Sequence, residues 1–279
     1  MITRSVHRAF DGEQGFYEHD SEACGGPMRF AVYLPPAALA GRRVPAVYFL
    51  AGLSCTEEIF PTKAQGQKLA AELGLALIAT DTSPRKVRYP GDETAWDFGV
   101  GAGFYLDATV QPWAATYRME THVVHELPAW IESQFPIATD RRGLFGHSMG
   151  GHGALTLGLR HPMRYASVSA FAPIVAPSQV PWGQKAFAGY LGDDRAAWAA
   201  HDACELVRLT PRPDRLLIDQ GDADKFLARE LRPELFVAAC AEAGQPLELR
   251  RHVGYDHGYY FVATFMADHL RHHARALVK

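Results

Sequence analysis

The chain has 279 residues, of which 48% are hydrophobic and 21% are charged, and its formal net charge is −3. This length and balance indicate an ordinary globular protein with one large α/β domain or two small ones. Its lysines and arginines are scattered among acidic residues, so no nucleic-acid-binding surface is predicted.

The cysteines and the N-terminus indicate a reducing compartment. Cys24, Cys55, Cys204 and Cys240 lie far apart, without the C-x-x-C spacing of a zinc site, so we expect free thiols, no metal site and no cofactor. The stretch MITRSVHRAFDGEQGF lacks a signal-peptide core, and no apolar run of about eighteen residues is present. We therefore expect a cytoplasmic protein with no membrane partner.

The first half of the chain alternates strand and helix patterns. An alternating segment, MRFAVYLPP (28–36), predicts a half-exposed strand, and the apolar run VPAVYFLAG (44–52) predicts a strand buried on both faces. A helix over KAQGQKLAAELG (63–74), a strand over LALIATD (75–81) and a helix over METHVVHELPAWIESQF (119–135) follow.

The second half continues the alternation. Strands are predicted over RRGLFGHS, YASVSAFAP, DRLLIDQGDAD and LELRRHVG, and helices over MGGHGALTLGLRHP, FLARELRPELFVAACAEAG and HGYYFVATFMADHLRHHARAL. The alternation predicts an α/β fold with a mostly parallel central sheet and helices on both faces. We expect a single domain over residues 1–279, with a short insertion at about 174–210 and no large lid.

The stretch GHSMGGHGAL places Ser148 in a G-x-S-x-G motif between a predicted strand and a predicted helix. This is the context of a nucleophile elbow, in which glycines make room for the turn and the helix N-terminus faces the serine. The alternative is a tight connection in which the Ser148 side chain only caps the helix. The context favours a nucleophile.

A serine nucleophile needs a histidine base and a carboxylate that fixes the histidine ring. Asp224 follows one predicted strand and His257 the next, which gives the order serine, acid, histidine that is typical of α/β-hydrolases. Asp222 is the second choice for the acid. Asp219 lies inside the strand, and Asp256 is too close to the histidine in sequence.

Other histidines are assigned other roles. His147 and His152 flank the serine too closely to act as its base, so packing or loop support is expected of them. Three histidines of the last helix are expected to be solvated or to compensate the helix dipole: His269, His272 and His273.

An acyl-transfer enzyme also needs donors for the oxyanion. The backbone amide of Met149 is the first candidate, and that of Leu53 in AGLSCTEEIF is the second. Cys55 is expected to be a thiol of the pocket wall, not a second nucleophile. Trp96 and Trp182 are candidates for the substrate pocket. Other aromatic residues fit either that pocket or a satellite core: Phe98, Phe104, Tyr105 and Trp113.

Several segments together resemble the S-formylglutathione hydrolase (esterase D) family almost from end to end. They are LAGLSCTEEIF, DTSPR, WDFGVGAGFYLDATVQPW, FGHSMGGHGAL, SAFAPI, IDQGDADKFL and YDHGYYF. The resemblance implies an α/β-hydrolase that cleaves S-formylglutathione to formate and glutathione in formaldehyde detoxification, and a homodimer. Ser148, Asp224 and His257 match the family triad, and Leu53 and Met149 match its oxyanion amides. One departure is Lys86, where the family usually has glycine after DTSPR.

Thioester chemistry fits these residues independently of the resemblance. A thiolate of pKa about 8.5 leaves with little protonation, so a thioester demands less of the histidine than an amide does. A general small-acyl carboxylesterase is the alternative function. A non-catalytic member of the fold is a third hypothesis, disfavoured because all three triad residues are present.

Overall fold

The computed structural model describes residues 2–278, and the strands of this range form one nine-stranded sheet in the order β1-β2-β3-β5-β4-β6-β7-β8-β9. The strands are β1 Ile2–Ala9, β2 Gly12–Ser21, β3 Gly26–Leu34, β4 Val44–Leu50, β5 Ala76–Thr80, β6 Ile137–His147, β7 Ser167–Phe171, β8 Leu216–Gly221 and β9 Leu247–His252. From β1 to β5 the pairings are antiparallel, and from β5 to β9 they are parallel. The mostly parallel α/β sheet is therefore confirmed.

Every strand predicted from the sequence is present, but β1 and β2 were not predicted. β1 is polar and exposed along most of its length, and β2 carries two glycines and several charges, so neither shows a clear apolar pattern. The half-exposed assignment of β3 is wrong over its second half, where every residue from Phe30 to Leu34 is buried. The physical reason is that side chains from outside the sheet cover this strand: Trp130 packs edge-on against Phe30 with ring centroids 5.3 Å apart.

Eleven α-helices are present within residues 2–278. They are α1 Pro36–Leu39, α2 Ile59–Lys63, α3 Gln67–Leu73, α4 Met119–Thr121, α5 Leu127–Gln134, α6 Met149–Arg160, α7 Pro181–Leu191, α8 Arg195–Ala199, α9 Ala203–Leu209, α10 Pro233–Ala243 and α11 Tyr259–Leu277. The helix predicted over 226–244 is broken, because Arg232 adopts a left-handed φ of 46° before Pro233. No helix in the described range is long and apolar enough to cross a membrane.

Helices α6 and α11 lie on opposite faces of the sheet. Ser167 and Ser169 of β7 both face α11, where their hydroxyls lie 2.7 and 2.9 Å from the ring nitrogens of His273. Val168, between them, faces α6: a Cβ added to Gly158 would lie 2.5 Å from Val168 Cγ2. Because successive residues of a strand point to opposite faces, the sheet is covered by helices on both sides.

The expectation that the last-helix histidines are solvated is wrong for His269 and His273, which are fully buried. His269 Nδ1 lies 2.8 Å from Ser169 Oγ, and its Nε2 lies 3.2 Å from Asp219 Oδ2. Burial lowers the pKa of His273 well below its usual value. These rings therefore serve as neutral or paired groups between α11 and the sheet.

Candidate active site

The carboxyl ends of the parallel strands bring the predicted site residues to one rim of the sheet. Leu53 follows β4, Ser148 follows β6, Asp224 follows β8, and His257 follows β9. In open α/β sheets this rim is the ligand-binding edge. The order of the strands thus places side chains from distant parts of the sequence beside one another.

Ser148 occupies a strained turn between β6 and α6. Its φ of 59° and ψ of −119° are unusual for a residue with a side chain, and its hydroxyl makes no hydrogen bond that caps α6. A Cβ at Gly150 would lie 1.9 Å from the Leu50 carbonyl oxygen, and one at Gly146 would lie 2.2 Å from the Gly150 oxygen. The glycines therefore allow the turn, and the hydroxyl is not used as a helix cap.

His257 and Asp224 form a close pair. His257 Nδ1 lies 2.5 Å from Asp224 Oδ2. The other carboxylate oxygen accepts a hydrogen bond from the Phe226 amide at 2.9 Å, and Gln220 Nε2 approaches Oδ2 at 3.4 Å. Both sides of the carboxylate are thus held while it orients the imidazole ring.

The competing acids have other partners. Asp222 pairs with Arg251 at 2.5 Å, and Asp256 Oδ1 accepts a hydrogen bond from the Gly258 amide at 2.8 Å. The Asp219 carboxylate accepts hydrogen bonds from Nε and Nη2 of Arg250, at 2.6 and 2.5 Å. Of the four aspartates considered for the acid, Asp224 is therefore the one that contacts His257 Nδ1.

Ser148 and His257 line one small cavity of about 190 Å³. Three further residues that the sequence suggested for the substrate pocket, Cys55, Trp96 and Trp182, line the same cavity. The remaining lining residues are Gly52, Leu53, His147, Phe226 and Tyr259. The cavity is thus mostly aromatic and apolar, and its size suits a small acyl group.

The loop after β4 approaches the serine closely. A Cβ at Gly52 would lie 3.1 Å from Ser148 Cβ. In the same loop the Ser54 amide donates to Gly101 O at 2.8 Å, and the Cys55 amide donates to Gly52 O at 3.2 Å. The Leu53 amide has no acceptor among the described residues. Met149 is the first residue of α6, where helix geometry leaves the amide without an intrahelical acceptor.

The Cys55 thiol is half-buried beside Tyr259. Burial raises the pKa of Cys55, which keeps the thiol protonated near neutral pH. Burial and the neighbouring Cys55 also raise the pKa of Tyr259 well above its usual value. Both groups therefore present neutral surfaces to the cavity, and neither has the ionised character of a nucleophile.

His147 packs against His257, the predicted base. The ring centroids of His147 and His257 are 4.5 Å apart, and neither ring nitrogen of His147 has a hydrogen-bond partner within residues 2–278. Burial, followed by the proximity of His257, lowers the pKa of His147 well below its usual value. His147 thus forms a neutral wall behind the His257 ring.

The four remaining aromatic candidates belong to the core. Phe98 stacks on Tyr190 with centroids 4.7 Å apart, and Trp113 packs edge-on against the same ring at 5.5 Å. Phe104 and Tyr105 are buried, and the Tyr105 hydroxyl donates to the Ala51 carbonyl at 2.8 Å. Of these, Tyr105 supports the loop that precedes Gly52, but none lines the cavity beside Ser148.

Sequence reasoning missed two cavity-lining aromatic residues. Phe226 packs edge-on against His257 with centroids 5.0 Å apart, and Tyr259 packs against His147 at 5.4 Å. A signal was available, because each lies two positions after a predicted triad residue, Asp224 or His257.

The segment that begins with Lys86 forms an ordered loop leading to Trp96. Arg88 and Asp92 make a bidentate ion pair with both contacts at 2.9 Å. Gly99, with a φ of 80°, packs so closely that a Cβ there would lie 2.3 Å from the Asp92 oxygen. The loop in which Lys86 departs from the family pattern is therefore stabilised by its own ion pair and by close packing of its backbone.

A separate group of side chains has the composition of a metal site. His19, His122 and Glu126 each place one ligand-type atom within 4.8 Å of the others. Glu126 accepts hydrogen bonds from the Ser21 hydroxyl, from the Glu22 amide at 2.6 Å and from His122 Nδ1 at 2.8 Å. The carboxylate is thus engaged within the protein and connects β2 to the π-helical turn 122–126.

Comparison with known proteins agrees with this geometry. The model of the Esterase family, described as "Putative esterase", matches residues 21–272. An S-formylglutathione hydrolase of Paracoccus denitrificans is 53% identical over 99% of this chain and 98% of the relative. One of Mus musculus is 52% identical over 98% of this chain and 97% of its own.

Solved structures give the same result. The structure of an S-formylglutathione hydrolase from Agrobacterium tumefaciens has a TM-score of 0.97 and 49% identity, and covers 99% of this chain and 100% of its own. A ferulic acid esterase with 19% identity and a TM-score of 0.75 shares the fold. The chain therefore belongs to the S-formylglutathione hydrolase family and has its α/β-hydrolase fold.

Proposed function

We propose that this chain hydrolyses S-formylglutathione to formate and glutathione through an acyl-enzyme on Ser148. The observation that carries the proposal is the contact of Asp224 with His257, which lines the same cavity as Ser148. Sequence identity of 53% to an S-formylglutathione hydrolase, along nearly the whole chain, supports the choice of substrate.

In the first step, Ser148 Oγ attacks the formyl carbon, and His257 Nε2 accepts the serine proton. Asp224 accepts a hydrogen bond from His257 Nδ1 and stabilises the imidazolium that forms. The short contact between these two side chains supports this role for Asp224. The negative charge moves to the carbonyl oxygen, which the amides of Leu53 and Met149 stabilise.

In the second step, the tetrahedral intermediate collapses and the carbon–sulfur bond breaks. Glutathione takes the proton from His257 and leaves as the thiol, or leaves as a thiolate while His257 gives its proton to the solvent. In either case His257 is neutral again, and Ser148 carries the formyl group. Water then attacks the formyl ester while His257 accepts its proton, and formate leaves as Ser148 regains a hydrogen. The cavity of about 190 Å³ supports a small acyl group in this cycle.

A substrate panel tests the proposal. We expect the highest kcat/KM for S-formylglutathione, with S-acetylglutathione and p-nitrophenyl acetate well below it, and equal release of formate and free thiol. A kcat/KM for simple acetyl esters equal to that for S-formylglutathione would instead identify a general small-acyl carboxylesterase. The absence of thioester hydrolysis would overturn the proposed function.

We also infer a cytoplasmic location, a role in formaldehyde detoxification and a homodimer. These inferences depend on the family, and the four free cysteines are compatible with a reducing compartment. Sedimentation at micromolar concentration measures the oligomeric state, and a monomeric mass would contradict the homodimer.

A further inference from the structure

A larger groove of about 570 Å³ adjoins the cavity that contains Ser148. The two spaces share Trp96, Trp182 and Phe226 as a common wall. The aromatic contacts are continuous, with centroids 5.3 Å apart between the tryptophans and 4.7 Å apart between Trp182 and Phe226. Phe226 in turn contacts His257. A ligand that reaches Ser148 therefore has a continuous aromatic surface leading outward.

Three cationic side chains line this groove: Lys185, Lys225 and Arg229. Together with Trp96, Trp182 and Phe226 they define what we call the cationic groove. Lys185 pairs with Asp97 at 2.5 Å, and Arg229 lies 3.3 Å from Glu230.

Lys225 differs from the other two cations. Its ammonium lies 4.9 Å from the centroid of the Phe226 ring, and it has no salt-bridge partner among the described residues. The groove is lined by these three cationic side chains and by two acidic ones, Asp97 and Glu230, so its lining carries a net charge of +1. Arg229 is highly exposed, and its guanidinium retains donors beyond the one near Glu230.

The net charge of the substrate is complementary to the excess positive charge of the groove. Glutathione carries two carboxylates and one ammonium, which leaves one net negative charge. The cavity of about 190 Å³ accommodates the formyl thioester end but is small for the tripeptide, so the tripeptide must extend beyond it. The groove has both the volume and the complementary charge.

A second route out of the cavity is less suitable. A space of about 360 Å³ that also adjoins His257 is lined by Lys225, Asp256 and Phe226, among others. Its single cation is matched by the Asp256 carboxylate, which would repel a glutathione carboxylate. The balance of charge therefore favours the cationic groove, and Lys225 belongs to both routes.

We propose that the cationic groove binds the tripeptide part of the thioester substrate, with Lys225 and Arg229 as the ligands of its carboxylates. This inference rests on the proposed function and names the residues that select a glutathione thioester over an uncharged one. Lys225 and Arg229 are specificity-determining residues, because they contact the tripeptide and not the reacting atoms.

The test compares Lys225→Ala, Arg229→Ala and the double variant with the wild type. Substrates are S-formylglutathione and an uncharged formyl thioester of 2-mercaptoethanol. Each single variant is expected to raise KM for S-formylglutathione by about threefold to tenfold, and the double variant by more. KM for the uncharged thioester should change much less, so the ratio of the two KM values is the readout. Lys68→Ala is the control: it removes the same charge from an exposed position of α3 and should leave the kinetics on both substrates unaffected.

A nonreactive ligand provides a second measurement. S-methylglutathione should inhibit hydrolysis of p-nitrophenyl acetate competitively. The inhibition should weaken as the NaCl concentration rises, and it should be weaker in the two single variants and in the double variant than in the wild type. If the wild type prefers S-formylglutathione but the double variant keeps its KM and inhibition constant, the groove proposal is wrong and the proposed function stands. Equal kcat/KM of the wild type for S-formylglutathione and the uncharged thioester would likewise contradict the groove proposal alone. If the wild type hydrolyses neither thioester, the proposed function itself fails.

Discussion

Asp224 holds the imidazole of His257 through a contact of 2.5 Å to Nδ1, and the Phe226 amide holds the other oxygen of the same carboxylate. The carboxylate cannot rotate without losing one of these partners. The ring orientation is therefore set by a group that is itself fixed from both sides, which is the property expected of the acid in a catalytic triad.

Replacing that acid gives the first prediction. Asp224→Asn should lower kcat by on the order of 10² or more, because an amide no longer stabilises the imidazolium or selects the correct tautomer. Steady-state kinetics on S-formylglutathione measure the effect, and circular dichroism checks that the variant folds.

The neighbouring aspartates provide the controls. Asp222→Asn and Asp256→Asn should each have a milder effect, because Asp222 pairs with Arg251 and Asp256 with the Gly258 amide. Near-normal turnover of a folded Asp224→Asn variant, together with a large loss in one of the controls, would show that the acid is misassigned.

The second prediction concerns the nucleophile. Ser148→Ala should abolish both turnover and labelling by a serine-directed phosphonate while leaving the thermal unfolding midpoint close to that of the wild type. The physical reason is that the hydroxyl makes no capping hydrogen bond, so its removal costs the turn little. Labelling that persists in Ser148→Ala would indicate another nucleophile, and Cys55→Ala would then identify whether it is the thiol.

Most of the fold and the nucleophile elbow could be predicted from local sequence patterns. The strand before Ser148 and the glycine-rich helix after it are contiguous in sequence, so the elbow could be recognised from about ten residues. The choice among acids depended on which carboxylate reaches the His257 ring, and that distance is set by how β8 and β9 pair. Sequence spacing ranked Asp224 first but could not measure the contact.

The buried histidines of α11 show why the remainder was missed. His269 has its partners 50 and 100 residues away, in Asp219 and Ser169. A polar residue on a helix is usually exposed, and it becomes buried only where such distant partners satisfy it. No local pattern in HLRHH encodes those partners.

The third prediction tests the crowding at the elbow. Gly150→Ala should destabilise the protein severely or prevent folding, because its Cβ would lie 1.9 Å from the backbone oxygen of Leu50. Gly26→Ala is the matched control, since its Cβ would meet only the Lys86 Cβ at an ordinary 3.9 Å. Urea unfolding compares the two, and equal stability of both variants would contradict the observed packing.

Glu57, a buried acid in the loop after β4, gives the last prediction. Glu57 is 1% exposed, and within the described range neither of its carboxylate oxygens has a hydrogen-bond partner. Burial, and after it the proximity of Asp81, raises the pKa of Glu57 to about 7. The neutral carboxylic acid is therefore favoured in the folded protein.

The sign of the pH dependence follows from this shift. The folded-state pKa lies above the unfolded value, so the contribution of Glu57 to stability is fully present below about pH 4.3 and is lost as the pH rises through about 7. Glu57→Gln keeps the side-chain size but cannot ionise, so its stability relative to the wild type should increase by on the order of 1–3 kcal/mol between pH 5 and pH 8. Urea unfolding across this range measures the difference. Glu58→Gln makes the same change at the exposed neighbouring position and should show no comparable trend. A stability difference for Glu57→Gln that stays constant with pH would mean that Glu57 is not held neutral by burial.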